Sequence, residues 1–109
     1  MDKIEQFERM LAAGQDNALL RFSLGGLMLK HGRFLEAAVH LRAALDQDPH
    51  YSAAWKLLGR ALLDSGDEKA ALEARQAGIG VAKERGDIQA SREMEVFVRR
   101  LQRRAGDPH

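Results

Sequence analysis

The chain carries few side chains at spacings suited to chemistry. Its four histidines, His31, His40, His50 and His109, never recur at i, i+4. A structural or catalytic zinc takes three or four converging ligands, so no metal site is expected. Ser23, Ser52, Ser65 and Ser91 lie in no motif that supplies a base. Asp46, Asp48, Asp64, Asp67 and Glu68 fall near helix ends, where capping and the helix dipole account for them. Acid–base catalysis by paired carboxylates needs two such groups facing one pocket, and nothing in the spacing suggests it. There is no Cys, hence no thiolate chemistry and no disulfide framework. The Gly-rich stretch "SLGG" at 23–26 lacks the preceding strand of a phosphate-binding loop. The expectation is therefore no enzyme, no catalytic residue, no cofactor and no small-molecule substrate.

One dense charge run remains, Arg99, Arg100, Arg103 and Arg104. In a helix, Arg99 shares a face with Arg103, and Arg100 with Arg104. Cations near a helix C-terminus suit the macrodipole, which makes a solvated end the simplest reading. Contact with nucleic acid or an acidic surface is the sharper alternative. It lacks interleaved aromatics and a recognisable nucleic-acid module. The whole chain has a formal charge of only +1, too small for a global attraction to polyanions. Residues 1–87 sum to −1 and residues 88–109 to +2.

The elements that position these groups are helices. The 109 residues suffice for one domain. Their 45% apolar and 30% charged content is that of a globular chain. Ala and Leu dominate, which favours helix. Gly14, Gly32, Gly66 and Gly86 punctuate the sequence, with Asp or Asn nearby at Asp16-Asn17, Asp67 and Asp87. Gly closes a helix in the left-handed region, and Asp or Asn opens the next by accepting an orphan N–H. Pro49 marks a further break. The spacing predicts helices over 2–13, 17–31, 34–47, 52–65, 68–85 and 88–104. Apolar stripes at three and four support them, such as Ile4, Phe7 and Leu11, or Met94, Phe97, Val98 and Leu101. No segment alternates with period two, so no strand is expected. The N-terminus lacks a basic region followed by an apolar one, so no signal peptide is expected. No stretch approaches 18 apolar residues, so no membrane span is expected. The chain reads as a complete, cytoplasmic protein.

Shifting the chain by 34 residues aligns Leu24-Gly25 with Leu58-Gly59, Met28 with Leu62, Gly32 with Gly66, Ala37 with Ala71 and Arg21 with Trp55. The same offset carries Leu41 back to Phe7 and Leu45 to Leu11. Residues 55–71, "WKLLGRALLDSGDEKAA", resemble the tetratricopeptide repeat (TPR) signature. Residues 21–49 resemble it too, with Gly32, Ala37, Leu41, Ala44 and Pro49 in place. The second copy departs from the pattern at Arg75, Gly78 and Lys83, which suggests that its second helix runs on. The resemblance implies an all-α, right-handed superhelix of about six helices in antiparallel hairpins. Its parts would be a half-repeat helix at 1–16, repeats at 18–51 and 52–85, and a capping helix at 86–109.

Within each hairpin, Gly25 with Ala37 and Gly59 with Ala71 are expected to let two helix backbones approach closely. Gly within a helix costs about 1 kcal/mol relative to Ala, so close packing must return more than that. Trp55 is expected to pack against the preceding helix. By the resemblance, a partner protein would occupy the inner surface formed by the first helix of each hairpin. The candidate partner-binding residues are Leu19, Phe22, Gly26 and Leu29 on the first repeat, and Lys56, Arg60 and Leu63 on the second. A matching ligand would be a peptide or helix with an apolar anchor and a carboxylate. TPR proteins that hold C-terminal chaperone tails use Lys and Asn on the first repeat. Phe22 and Gly26 stand there instead, so such tails are not expected to bind in that way. The alternative reading is a homodimer or larger obligate homo-oligomer, because two full repeats are fewer than the three usually needed for stability.

Overall fold

A computed structural model describes residues 2–106, with backbone alone at 105 and 106. His109 and the end of the expected capping segment lie outside the described residues. Six α-helices follow one another: α1 (Lys3–Ala12), α2 (Ala18–Lys30), α3 (Phe34–Gln47), α4 (Ser52–Asp64), α5 (Glu68–Arg85) and α6 (Ile88–Gly106). There is no strand among the described residues. The helix starts follow the sequence punctuation. Asp2 accepts from the Glu5 N–H at 2.8 Å, Asn17 from Leu20 at 2.8 Å, Asp67 from Ala70 at 3.1 Å and Asp87 from Ala90 at 3.1 Å. Each satisfies one donor that the first helical turn would leave orphaned. Gly32 and Gly66, one repeat apart, both take positive φ, +76° and +94°. Only Gly adopts that region without a Cβ penalty, so each closes its helix and starts the turn.

Short connections fold each helix back on the one before. The pairs α2–α3, α4–α5, α5–α6 and α3–α4 pack along their lengths, while α1 packs on α2. The backbones of α2 and α4, and of α4 and α6, also approach each other. Leu24, Met28, Leu41, Leu58 and Met94 are the large side chains sealed inside, among Ala37, Ala44, Ala54, Ala61, Ala71 and Ala82. A core this rich in Ala brings helix axes close, toward the lower end of the usual 8–10 Å range.

The Gly close approaches exist, but their partners differ in part from the expected ones. A Cβ on Gly25 would lie 2.7 Å from Leu41 Cγ and 3.3 Å from the Ala37 carbonyl oxygen. A Cβ on Gly59 would lie 2.6 Å from Cδ and 2.7 Å from Cγ of Arg75. Leu41 and Arg75 are the same position of consecutive repeats. The space that each Gly leaves is filled by the side chain one turn beyond the Ala, because the facing helix crosses there. Trp55 has two further partners. Its Cβ would meet a Cβ on Gly78 of α5 at 2.7 Å, and its indole N–H donates to the Pro49 carbonyl at 2.8 Å. Trp55 thus braces the following helix and ties itself to the turn before its own.

Helix α5 runs 18 residues against 14 for α3. The extra turn, with Ala82 buried, carries α6 out of the 34-residue period, so that it begins 36 residues after α4. The array is elongated, 51 × 29 × 19 Å.

Candidate functional site

The candidate residues lie on α2 and α4. Gly26, Leu29 and Arg60 come together on one cleft of about 440 Å³, completed by Lys30, Gly32, Phe34 and Asp64. Gly26 lines it, and a Cβ there would lie 3.7 Å from Leu57 Cδ1. Leu29 lies half-buried against the core. Arg60 Nε donates to Asp64 at 3.1 Å, one turn along the same helix, and stays largely exposed. The cleft is therefore part apolar and part charged.

The other candidates are distributed differently. Phe22 stacks on Tyr51 with ring centroids 4.7 Å apart and planes 27° from parallel. Burial, and after it the Asp48 carboxylate, push the Tyr51 phenol above its usual pKa. Leu19 is 65% exposed at the start of α2, and Leu63 is half-buried beside the core. Lys56 faces α6, where its ammonium pairs with Glu93. Glu93 also accepts from Gln89 at 3.3 Å. These two hydrogen bonds, Lys56 first, hold the Glu93 carboxyl below its ordinary range.

One residue with unusual electrostatics was not among the candidates. Arg75 is only 5% exposed, and its Nε is a buried side-chain nitrogen with no hydrogen-bond partner among the described residues. It leaves α5, passes through the space over Gly59, and lays its guanidinium on the Phe97 ring, 3.8 Å from the centroid. Burial, and after it the charge of Arg60, pull its pKa down to about 10, with Glu93 opposing weakly. At neutral pH it is still a cation, stacked on a π face but lacking an anion of its own. The signal was present in the sequence as a charge one period after the core residue Leu41.

The arginines on α6 are mostly solvated. Arg104 pairs with Glu68 at 3.2 Å, while Arg99, Arg100 and Arg103 are exposed. Among the described residues, no three His, Asp or Glu converge as a metal site. No helix among them is long and apolar enough to cross a membrane.

Two consecutive Gly-bearing hairpins with one spacing are the architecture expected of the repeat, and the comparisons agree. A family model described as tetratricopeptide repeat matches residues 28–92. The chain belongs to the tetratricopeptide repeat family. A TPR repeat-containing protein of Pseudomonas aeruginosa is 51% identical over 100 residues, which cover 92% of this chain and 95% of the relative. A Bordetella parapertussis protein with a solution structure is 48% identical, with a TM-score of 0.85, covering 100% of this chain and 95% of that one. TPR proteins serve in general as protein–protein interaction modules, and this chain is an all-α member of that group.

Proposed function

We propose that this TPR protein is a non-catalytic adaptor or assembly partner in the cytoplasm. It binds a peptide or helix of another protein across α2 and α4. The observation that carries this reading is the cleft that gathers Gly26, Leu29 and Arg60, with Lys30 at its edge. Gly26 admits a bulky ligand side chain, Leu29 gives it apolar contact, and the cations attract a carboxylate. Apolar pockets with a few convergent polar groups are the usual form of a binding site. Leu19 and the Phe22–Tyr51 stack lie nearer the start of the same two helices and extend the apolar track.

The test is to capture partners from the source cell, identify them by mass spectrometry, and titrate each purified partner by calorimetry. A Lys30→Glu, Arg60→Glu double variant, which reverses the two cations of the cleft, is expected to bind at least tenfold more weakly. Its helicity and melting temperature should stay near wild type, since exposed ion pairs contribute only about 0–1 kcal/mol each. Unchanged affinity in the double variant would remove the groove reading.

A further inference from the structure

Arg75 is built into the protein in a way that its packing does not explain. A side chain at this position needs only to fill the space over a glycine, as Leu41 does one repeat earlier over Gly25. Burying a cation there instead is unfavourable unless an opposite charge meets it. Among the described residues, none supplies such a charge. The acid whose charge acts on it, Glu93, is engaged by Lys56 and Gln89. Arg60, the other charged neighbour, has the same sign as Arg75 and makes the burial worse. Phe97 holds the guanidinium flat, and the Nε edge is turned inward against Gly59. The edge left for a ligand is the fork of two terminal nitrogens. That fork matches a carboxylate bidentately and is already fixed in orientation, so little rotamer entropy is lost on binding.

We propose that the Arg75 guanidinium, stacked on Phe97 and seconded by Arg60, is the seat for an Asp or Glu side chain of a partner segment lying against α4 and α6. The inference rests on the protein-binding reading above and names the acidic residue that the ligand must carry. It moves that contact from Lys56, which Glu93 already engages, to a residue of α5. A bound carboxylate would relieve both the desolvation of Arg75 and its repulsion from Arg60.

The experiment uses the full chain and a capped hexaglutamate peptide at low ionic strength, followed by the Arg75 Nε–Hε and Phe97 ring resonances. Wild type should show saturable shifts at both. Arg75→Leu should stay folded and bind at least tenfold more weakly. Arg75→Lys, which keeps the charge but loses the fork, should fall between them. No saturable shift in wild type, or equal affinity in Arg75→Leu, overturns the inference. If Arg75→Leu binds normally while the Lys30→Glu, Arg60→Glu variant fails with its natural partner, the groove stands and only the Arg75 seat falls. If neither change matters, both fall.

Discussion

At position 59 a hydrogen atom stands where a methyl would strike the stem of Arg75. The two residues are therefore coupled. Gly59→Ala gains about 1 kcal/mol in helix propensity but forces the Arg75 stem aside, an overpacking cost of roughly 1–3 kcal/mol. The single variant is expected to be less stable by denaturant titration. In an Arg75→Ala background the clash is gone, so the same Gly59→Ala change should stabilise. A double-mutant cycle reads the reversal directly. Arg75→Leu alone should raise the melting temperature, because it replaces an unpaired buried cation by the residue that fills the same position over Gly25. A binding residue that lowers stability is a familiar trade between function and fold.

Among the elements, α1 is held least firmly. It seals Ile4 and half-buries Phe7 and Leu11, and its backbone packs only on α2 among the described helices. Its connection to α2 is fastened by polar groups. Asp16 accepts from Arg21 Nε at 2.9 Å and Nη2 at 2.8 Å, and from Gln47 at 2.8 Å. Arg21 Nη1 also donates to His40 Nδ1 at 3.0 Å, which requires a neutral imidazole protonated on Nε2. The hydrogen bonds from Arg21 and then Gln47 draw the Asp16 carboxyl down to about 2. Burial and then Arg21 lower the His40 pKa as well. Both folded values lie below the unfolded ones, so both groups stabilise at neutral pH and lose that contribution on acidification. The His40 part fades as pH falls below its ordinary 6.5, and the Asp16 part between 3.8 and about 2. With the intrinsic pH dependence of exchange divided out, the protection of α1 amides is expected to fall on acidification before that of α3 or α4. His40→Gln, which accepts the same hydrogen bond without titrating, should delete the first step.

The helices themselves were legible in the sequence. Gly punctuation and Asp or Asn caps act within one or two turns, so 34–47 and 68–85 agree with α3 and α5 residue for residue, and the other helix ends shift by at most two. The candidate surface was legible only where it lies inside the repeat. Gly26, Leu29 and Arg60 meet because α2 and α4 obey the 34-residue period. Lys56 and Arg75 take their surroundings from α6, which the extra turn of α5 carries off that period. Glu93 and Phe97 arrive opposite them through that displacement, and no spacing within the two repeats foretells it. Gly78, marked in the sequence only as a departure from the repeat pattern, faces Trp55 on one side and Met94 of α6 on the other.

Over the whole molecule, contacts link helices no more than two apart along the chain, and nothing joins the first helix to the last among the described elements. Stability in such an array is close to a sum of local interfaces. The two ends are unequal. Helix α6 is gripped by Gly78 against Met94 and by the pairs Lys56–Glu93, Lys83–Glu95 and Arg104–Glu68. Helix α1 has one neighbour and a loop knot at Asp16. A chain stretched between its termini in an optical trap should consequently come apart in a fixed order, with α1 peeling away at low load and the α4–α5–α6 block yielding last as one larger rip. The protein would then behave under tension like a zipper with a single free end. Simultaneous rupture, or release from the C-terminal side first, would mean that the extra turn of α5 does not clamp the array as described.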